Sequence, residues 1–291
     1  MKDIFVDVGI QLFRFAAIHT QFSKYNIMKL SVLGFVLFFS LVSVVATAKA
    51  PIKSDLFSWE KTSVTMTSSG ECRQFLTGST NQLDYLDVHA TTLNPGKSVS
   101  GTDIQTRYEK LIIVRDGEIL QTLNGEKKLL KGGCVVLLLA GEKLTIENPG
   151  NKPASYFMLQ WENQDRNVLK NPAGKLNSEI QPWEDAIFTA TEKGGTRKFF
   201  KRPTNFLYEF EMHVTTLLAG INSHPPHTHP DDEIILVRSG TVEMLINGKH
   251  YPYGAGSFVF VVGNDLHGLT NIGKGPCEYY AFRFLKAEPV K

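Results

Sequence analysis

The residues best placed to do chemistry lie in SHPPHTHPDDEIILVRSG, Ser223 to Gly240, which gathers three histidines and three acids into eighteen positions. His227 and His229 are two apart, so on a strand both imidazoles project from one face, and Glu233, four further on, has the same parity. Pro230-Asp231-Asp232 between them is turn-like and weakens the parity argument for the glutamate; Asp231 and Asp232 are expected to be turn residues. A further imidazole, His267, follows the apolar run FVFVV and can reach in from a neighbouring strand. Three imidazoles and one carboxylate form a mixed N/O set suited to a first-row ion: Fe(II), Mn(II), Ni(II) or Zn(II). Four protein ligands in an octahedral sphere leave two positions for water or substrate, the arrangement of a working metal. The competing reading is a solvated loop rich in His, since Pro, Asp and Thr surround the cluster. His224 is expected to be solvated at the mouth of any such site, and is the one candidate here for a catalytic base.

The elements that must position these groups repeat within the chain. Trp59/Trp183, Glu60/Glu184, Arg73/Arg197, Phe75/Phe199, Thr80/Thr204, Asn81/Asn205 and His89/His213 all stand 124 residues apart, and a Thr-Thr-Leu triplet recurs at the same offset. The match resumes at 123, with LIIVRDG (111–117) over IILVRSG (234–240) and Asn124-Gly125 over Asn247-Gly248. A one-residue insertion between Gly220 and Glu233 would account for the change. Each copy of about a hundred residues is a comfortable domain. Short β-branched and aromatic runs, Asn-Gly hairpin dipeptides and regularly spaced glycines predict an all-β fold of two tandem small barrels or sandwiches. Expected boundaries are 1–48 for an N-terminal extension and export signal, 57–161 and 182–286 for the repeats, and 162–181 for a polar linker that could hold a short helix.

His227-x-His229-x-x-x-Glu233, with Gly240 seven residues further on, followed by Gly256 through His267 to Asn271, resembles the two motifs of the cupin superfamily. The resemblance runs from about Trp59 to Phe284 and suggests a two-barrel cupin. It departs from the pattern at three points: Val262 replaces a proline, Asn264 replaces a glycine, and Gly220 lies one residue too far from His227. The resemblance implies a metal inside the second barrel on His227, His229, Glu233 and His267. At the repeat offset these fall on Ile104, Thr106, Lys110 and Leu144, which offer no ligand set, so the first barrel is expected to be metal-free. The family holds dioxygenases, isomerases, decarboxylases, lyases and aminohydrolases; a metalloenzyme acting on a small polar or acidic metabolite is the first functional expectation. A secreted protein that binds a small ligand or the metal without catalysis is the second, and a storage-type protein with a vestigial site is the third. Edge strands of such barrels pair between chains in the family, which would give a homodimer.

His213, shared with His89 of the repeat lacking ligands, reads as structural, and His250 after the hairpin reads as exposed. Phe258, Phe260, Tyr251, Tyr253, Tyr280 and Phe282 read mainly as core. Over 291 residues the net charge is +2, with 42% apolar and 21% charged residues, and no basic cluster is present, which argues against nucleic-acid binding. Three cysteines are too few for a disulfide framework. Leu30–Ala46, preceded by Met28-Lys29 and followed by Thr47-Ala48, reads as a secretory signal cut after Ala48, with Met28 as the expected true start and an uncleaved membrane anchor as the alternative.

Overall fold

Both Asn-Gly dipeptides turn as the sequence requires. Asn124 and Gly125 have φ of 50° and 95°, Asn247 and Gly248 have φ of 48° and 83°, and two successive positive φ values make the tight hairpin whose twist matches its strands. The computed structural model describes residues 51–100, 107–163 and 176–288. The export signal, Met28 and the cleavage position lie outside the described residues, as do Ile104, Thr106 and most of the expected linker. Among the described residues every regular element is a strand.

The first half contains β1 (Asp55–Phe57), β2 (Val64–Thr67), β3 (Gly70–Gly78), β4 (Tyr85–Leu93), β5 (Ser98–Val99) and β6 (Glu109–Asp116). It continues with β7 (Glu118–Leu123), β8 (Glu126–Lys131), β9 (Val135–Leu138), β10 (Leu144–Glu147) and β11 (Ala154–Glu162). The second half opens with β12 (Glu179–Gln181), β13 (Phe188–Thr191), β14 (Gly194–Arg202), β15 (Glu209–Leu217) and β16 (Asp232–Ser239). It closes with β17 (Thr241–Ile246), β18 (Lys249–Gly254), β19 (Phe258–Val261), β20 (His267–Asn271) and β21 (Cys277–Leu285). Apart from β5, every strand of one half has a counterpart 124 or 123 positions away in the other. The second half is the shorter one: 13 steps separate Gly220 from Glu233 against 14 from Gly96 to Lys110. The extra residue therefore belongs to 97–109, which corrects the expected insertion in the second copy.

Each half closes a barrel from one large and one small sheet. The first pairs β12-β9-β6-β11-β4-β3-β2 with β5-β10-β7-β8; the second pairs β1-β19-β16-β21-β15-β14-β13 with β18-β17-β20. The outermost strand at one end of each large sheet comes from the other half. Phe57 pairs with Phe258 and Asp55 with Phe260, while Glu179 pairs with Leu137 and Gln181 with Val135. The tail of the expected linker is thus a strand, and Ser178 before it accepts the Leu139 amide at 2.9 Å.

Alternation sorts the strand residues into three buried clusters. Ile112, Leu144, Ile146 and Met158 fill the first barrel, and Ile235, Met244, Leu269 and Tyr279 occupy the second. A third cluster joins the two large sheets face to face and contains Leu111, Trp161, Phe210, Phe258, Phe260, Tyr280, Phe282 and Phe284. Most of the aromatics in question are therefore core, as expected, at the seam between the barrels. All three cysteines are free, and Cys134 and Cys277 are buried.

Candidate metal centre

A pair of backbone hydrogen bonds brings the two histidine sources together. His227 N donates to His267 O at 2.9 Å and His267 N donates to His227 O at 3.0 Å, which sets their rings 4.6 Å apart. His229 is tied in by Asn264, whose N–H donates to the His229 carbonyl at 2.7 Å. Glu233 is the second residue of β16, and its strand neighbours across the sheet are Val261 and Arg283. Regular strand begins only at Asp232, yet the Glu233 side chain turns toward His229 and His267.

The polar atoms converge. Donor nitrogens of His227, His229 and His267 lie within 4.8 Å of one another. Glu233 Oε2 stands 3.2 Å from His267 Nε2 and 3.5 Å from His229 Nε2. Adjacent ligands on an ion with bonds of about 2.1 Å stand about 3 Å apart, so these separations suit a shared ion with little movement. Two imidazoles are already oriented: Nδ1 of His267 faces the Asp265 carbonyl at 2.7 Å, and Nδ1 of His229 faces the Asp231 carbonyl at 3.1 Å. A proton on each Nδ1 leaves Nε2 with its lone pair, the usual arrangement behind metal-binding imidazoles. His227 Nδ1 is buried without a hydrogen-bond partner among the described residues, and His267 Nε2 has only the Glu233 carboxylate beside it. Basic nitrogens so placed around a buried carboxylate are what a cation would satisfy. The donor set therefore fits a first-row ion.

Electrostatics agree. Burial would raise the Glu233 carboxyl, but hydrogen bonds and charge from His229 and His267 outweigh it and hold the group well below the usual carboxylate range. Burial alone would lower His267, and Glu233 with the Asp265 carbonyl reverses that to an upward shift. His227 is pushed down by burial and by its three histidine neighbours.

The cluster lines a cavity of about 290 Å³ together with His213, Thr215, Tyr279, Arg283 and Lys193. Arg283 is held by Glu211 and by Asp231, the latter at 3.2 Å, and Lys193 Nζ donates to the Ser223 carbonyl at 2.7 Å. His224 is exposed at this cavity, its ring 4.2 Å from that of His227. His213 also lines the cavity, its Nδ1 3.6 Å from Glu211 Oε1. His250 is exposed and meets Glu243 at 2.9 Å. Asp231 lies in the bend before β16, as expected, whereas Asp232 is the first residue of the strand and not of the turn. Both are buried, and Asp232 accepts N–H groups from Gly263 at 2.9 Å and Gln82 at 3.3 Å. The signal for them, an acid pair just before a strand, is indistinguishable in sequence from a turn.

In the first barrel Leu144 and Lys110 occupy the places of His267 and Glu233, and both are buried. Lys110 Nζ donates to the Tyr108 carbonyl at 3.1 Å, and burial lowers its pKa to about 8 against the pull of Glu109. Two strand-exchanged jelly-roll barrels, with three imidazoles and a glutamate inside one of them, define the class of protein. The cupin-domain family model matches residues 213–283. Residues 213–283 thus carry a cupin domain, and the first half shares the fold of the second. Among similar solved structures is the protein Ylba from E. coli, at 13% identity and a TM-score of 0.64, covering 84% of this chain and 97% of that one. The Lactobacillus farciminis oxalate decarboxylase formate complex has 13% identity and a TM-score of 0.60, covering 82% and 88%. A salicylate 1,2-dioxygenase variant from Pseudoaminobacter salicylatoxidans has 11% identity and a TM-score of 0.52, covering 68% and 71%. No curated protein matches the chain in sequence.

Proposed function

We propose that this protein is a metal-dependent enzyme whose second barrel binds one divalent first-row ion on His227, His229, Glu233 and His267 and acts on a small polar or acidic molecule. The observation that carries this reading is the convergence of Glu233 Oε2 on two imidazole Nε2 atoms, 3.2 Å and 3.5 Å away, at the wall of an accessible cavity. Solved neighbours that share the fold include an oxalate decarboxylase and a salicylate dioxygenase, both acting on small carboxylates. Bound there, the ion would supply Lewis acidity or an oxygen-activating centre with open positions for substrate. The chain's own groups do the rest. Lys193 and Arg283 bring positive charge to the cavity for a substrate carboxylate, and Thr215 and Tyr279 offer hydroxyls that orient it. Ile235, Met244 and Leu269 line the cavity with apolar surface and restrict water. His224 stands where an exposed imidazole can exchange a proton between substrate and solvent.

Elemental analysis tests the centre: wild-type protein purified with Mn(II) or Fe(II) should carry close to one ion per chain, while His229→Ala and His267→Ala carry none. Equal metal in all three would end the proposal. Turnover is tested on the loaded wild type with a panel of small carboxylates, following oxygen uptake and product. Binding without turnover would leave the non-catalytic, ligand-binding reading in place. We also propose export directed by residues 30–46, which N-terminal sequencing of the exported protein, expected to begin near Lys49, would test.

A further inference from the structure

The first barrel has lost the ligand set but not the cavity. A space of about 290 Å³ remains there, lined among others by Thr67, Ser69, His89, Thr91, Tyr156 and Gln160. Nine residues of this lining stand 124 or 123 positions before residues that line the metal cavity, from Thr67 opposite Thr191 to Gln160 opposite Arg283. The two cavities are the same place in the two barrels. What differs is their chemistry. Ser69 stands for Lys193 and Gln160 for Arg283, so both cations are gone, and Leu144 and Lys110 fill the positions of His267 and Glu233.

We propose that this cavity is a second small-molecule site, distinct from the metal centre, which takes an uncharged molecule carrying several hydroxyl or amide groups. Among the described lining residues none is Lys, Arg, Asp or Glu, so an ion would meet no counter-charge from them. The Thr67 and Ser69 hydroxyls are bonded to the Gly70 and Ser98 carbonyls, and the hydroxyls of Ser68, Thr91 and Tyr156 with the Gln160 carboxamide both donate and accept, the set that recognises neutral polar groups. One imidazole is prepared for the same task. His89 Nδ1 lies 2.7 Å from Asp87 Oδ1, which leaves Nε2 to meet a ligand. That buried carboxylate is engaged from behind, by Gln74 Nε2 at 2.7 Å and Gln160 Nε2 at 3.4 Å, so its charge serves the wall rather than a bound cation. Val99 and Met158 add apolar contact.

A second observation lies deeper in the barrel. Gln121 occupies the position of Met244, a lining residue of the metal cavity, and is fully buried. Its amide nitrogen and oxygen both lack a hydrogen-bond partner among the described residues. An apolar residue would cost less there, as Met244 shows in the sister barrel, and a ligand hydroxyl or amide that reaches past the cavity's lining residues, of which Gln121 is not one, would satisfy both atoms.

The test uses the whole protein and neutral probes, glycerol, urea and D-xylose, against the anions acetate and D-gluconate. Ligand-observed NMR and thermal shift are read on wild type, His229→Ala, Thr91→Val, Gln160→Leu and Gln121→Met. At least one neutral probe should bind wild type and His229→Ala equally, and bind about tenfold more weakly to Thr91→Val or Gln160→Leu, the loss of one hydrogen bond. Gln121→Met should melt higher than wild type without probe and gain less from it. The proposal is overturned if binding follows His229 rather than Thr91 and Gln160, or if only anions bind the first barrel. It is equally overturned if no neutral probe binds at tens of millimolar, or if Gln121→Met lowers the melting temperature.

Discussion

Asn264 and Val262 stand where the cupin motif has glycine and proline, and the structure explains both departures. Asn264 has φ of 72°, a left-handed conformation that asparagine tolerates better than other residues with a side chain. Its N–H holds the His229 carbonyl, so the backbone that glycine would provide is kept. Val262 uses an N–H that proline lacks, donating to Ser54 Oγ at 2.8 Å. Asn264→Gly should therefore leave stability within about 1 kcal/mol, whereas Asn264→Val should cost about 1–3 kcal/mol by forcing a β-branched residue into a strained region. Urea unfolding would read that cost, and metal titration should show weaker binding in the valine variant because the His229 loop is no longer pinned. Proline at 262 should cost about 1 kcal/mol for the lost hydrogen bond rather than restore anything. The three-histidine cluster was legible because its spacing is local: two imidazoles two residues apart, with a third at the head of a strand. Asp232 and Glu109 were not, because what makes them structural is a set of donors far along the chain, Gln82 and Gly263 for one and Thr204 and Asn205 for the other.

At the level of elements, the repeat pointed to Trp59, Trp183, Arg73 and Arg197 without saying what they do, and Gly133 and Gly256 stand 123 apart in the same two copies. Trp59 lies between two guanidinium groups, Arg73 at 4.4 Å and Arg115 at 3.6 Å. Trp183 lies likewise between Arg197 at 4.8 Å and Arg238 at 4.0 Å. Each indole, just past the exchanged strand, also covers a glycine of the opposite half. A Cβ at Gly256 would meet Trp59 at 3.2 Å, and one at Gly133 would meet Trp183 at 3.0 Å. Short strands and hairpins could be read from alternation and Asn-Gly pairs, but the exchange of β1 and β12 could not, because no local pattern specifies which barrel an edge strand joins. Both glycines have positive φ, so Gly133→Ala and Gly256→Ala combine backbone strain with a tight contact and should each cost about 1–3 kcal/mol. The measurement is tryptophan fluorescence during urea unfolding. Because each substitution touches the indole of the other half, the emission of the folded state should change even where the barrel carrying the mutation is intact.

Across the whole molecule the two barrels are bound by a shared aromatic core and by two buried acids at equivalent positions. Asp232 accepts from Gln82 of the first half as well as from Gly263 of its own, and Glu109 is met by donors from the second: Thr204 Oγ1 donates to Glu109 Oε2 at 2.6 Å and Asn205 N to Oε1 at 2.5 Å. Trp161, from the same half as Glu109, donates Nε1 to Oε2 at 2.9 Å and stacks on Phe210 of the other half at 5.5 Å. Burial pushes the Glu109 carboxyl up from 4.5 to about 7, and the donors offset only part of that. Between those values the unfolded chain has released a proton that the folded protein still holds. Stability from this group is therefore full below about pH 4.5 and is lost as pH rises through about 7. The loss amounts to about 3 kcal/mol in wild type and should be missing in Glu109→Gln, whose amide does not titrate. Urea unfolding at intervals across this range should show the stability gap between wild type and variant shifting against the wild type as pH rises. A gap that stays constant would mean that the carboxyl is ionised in the folded protein throughout, with the donors from the second half outweighing its burial.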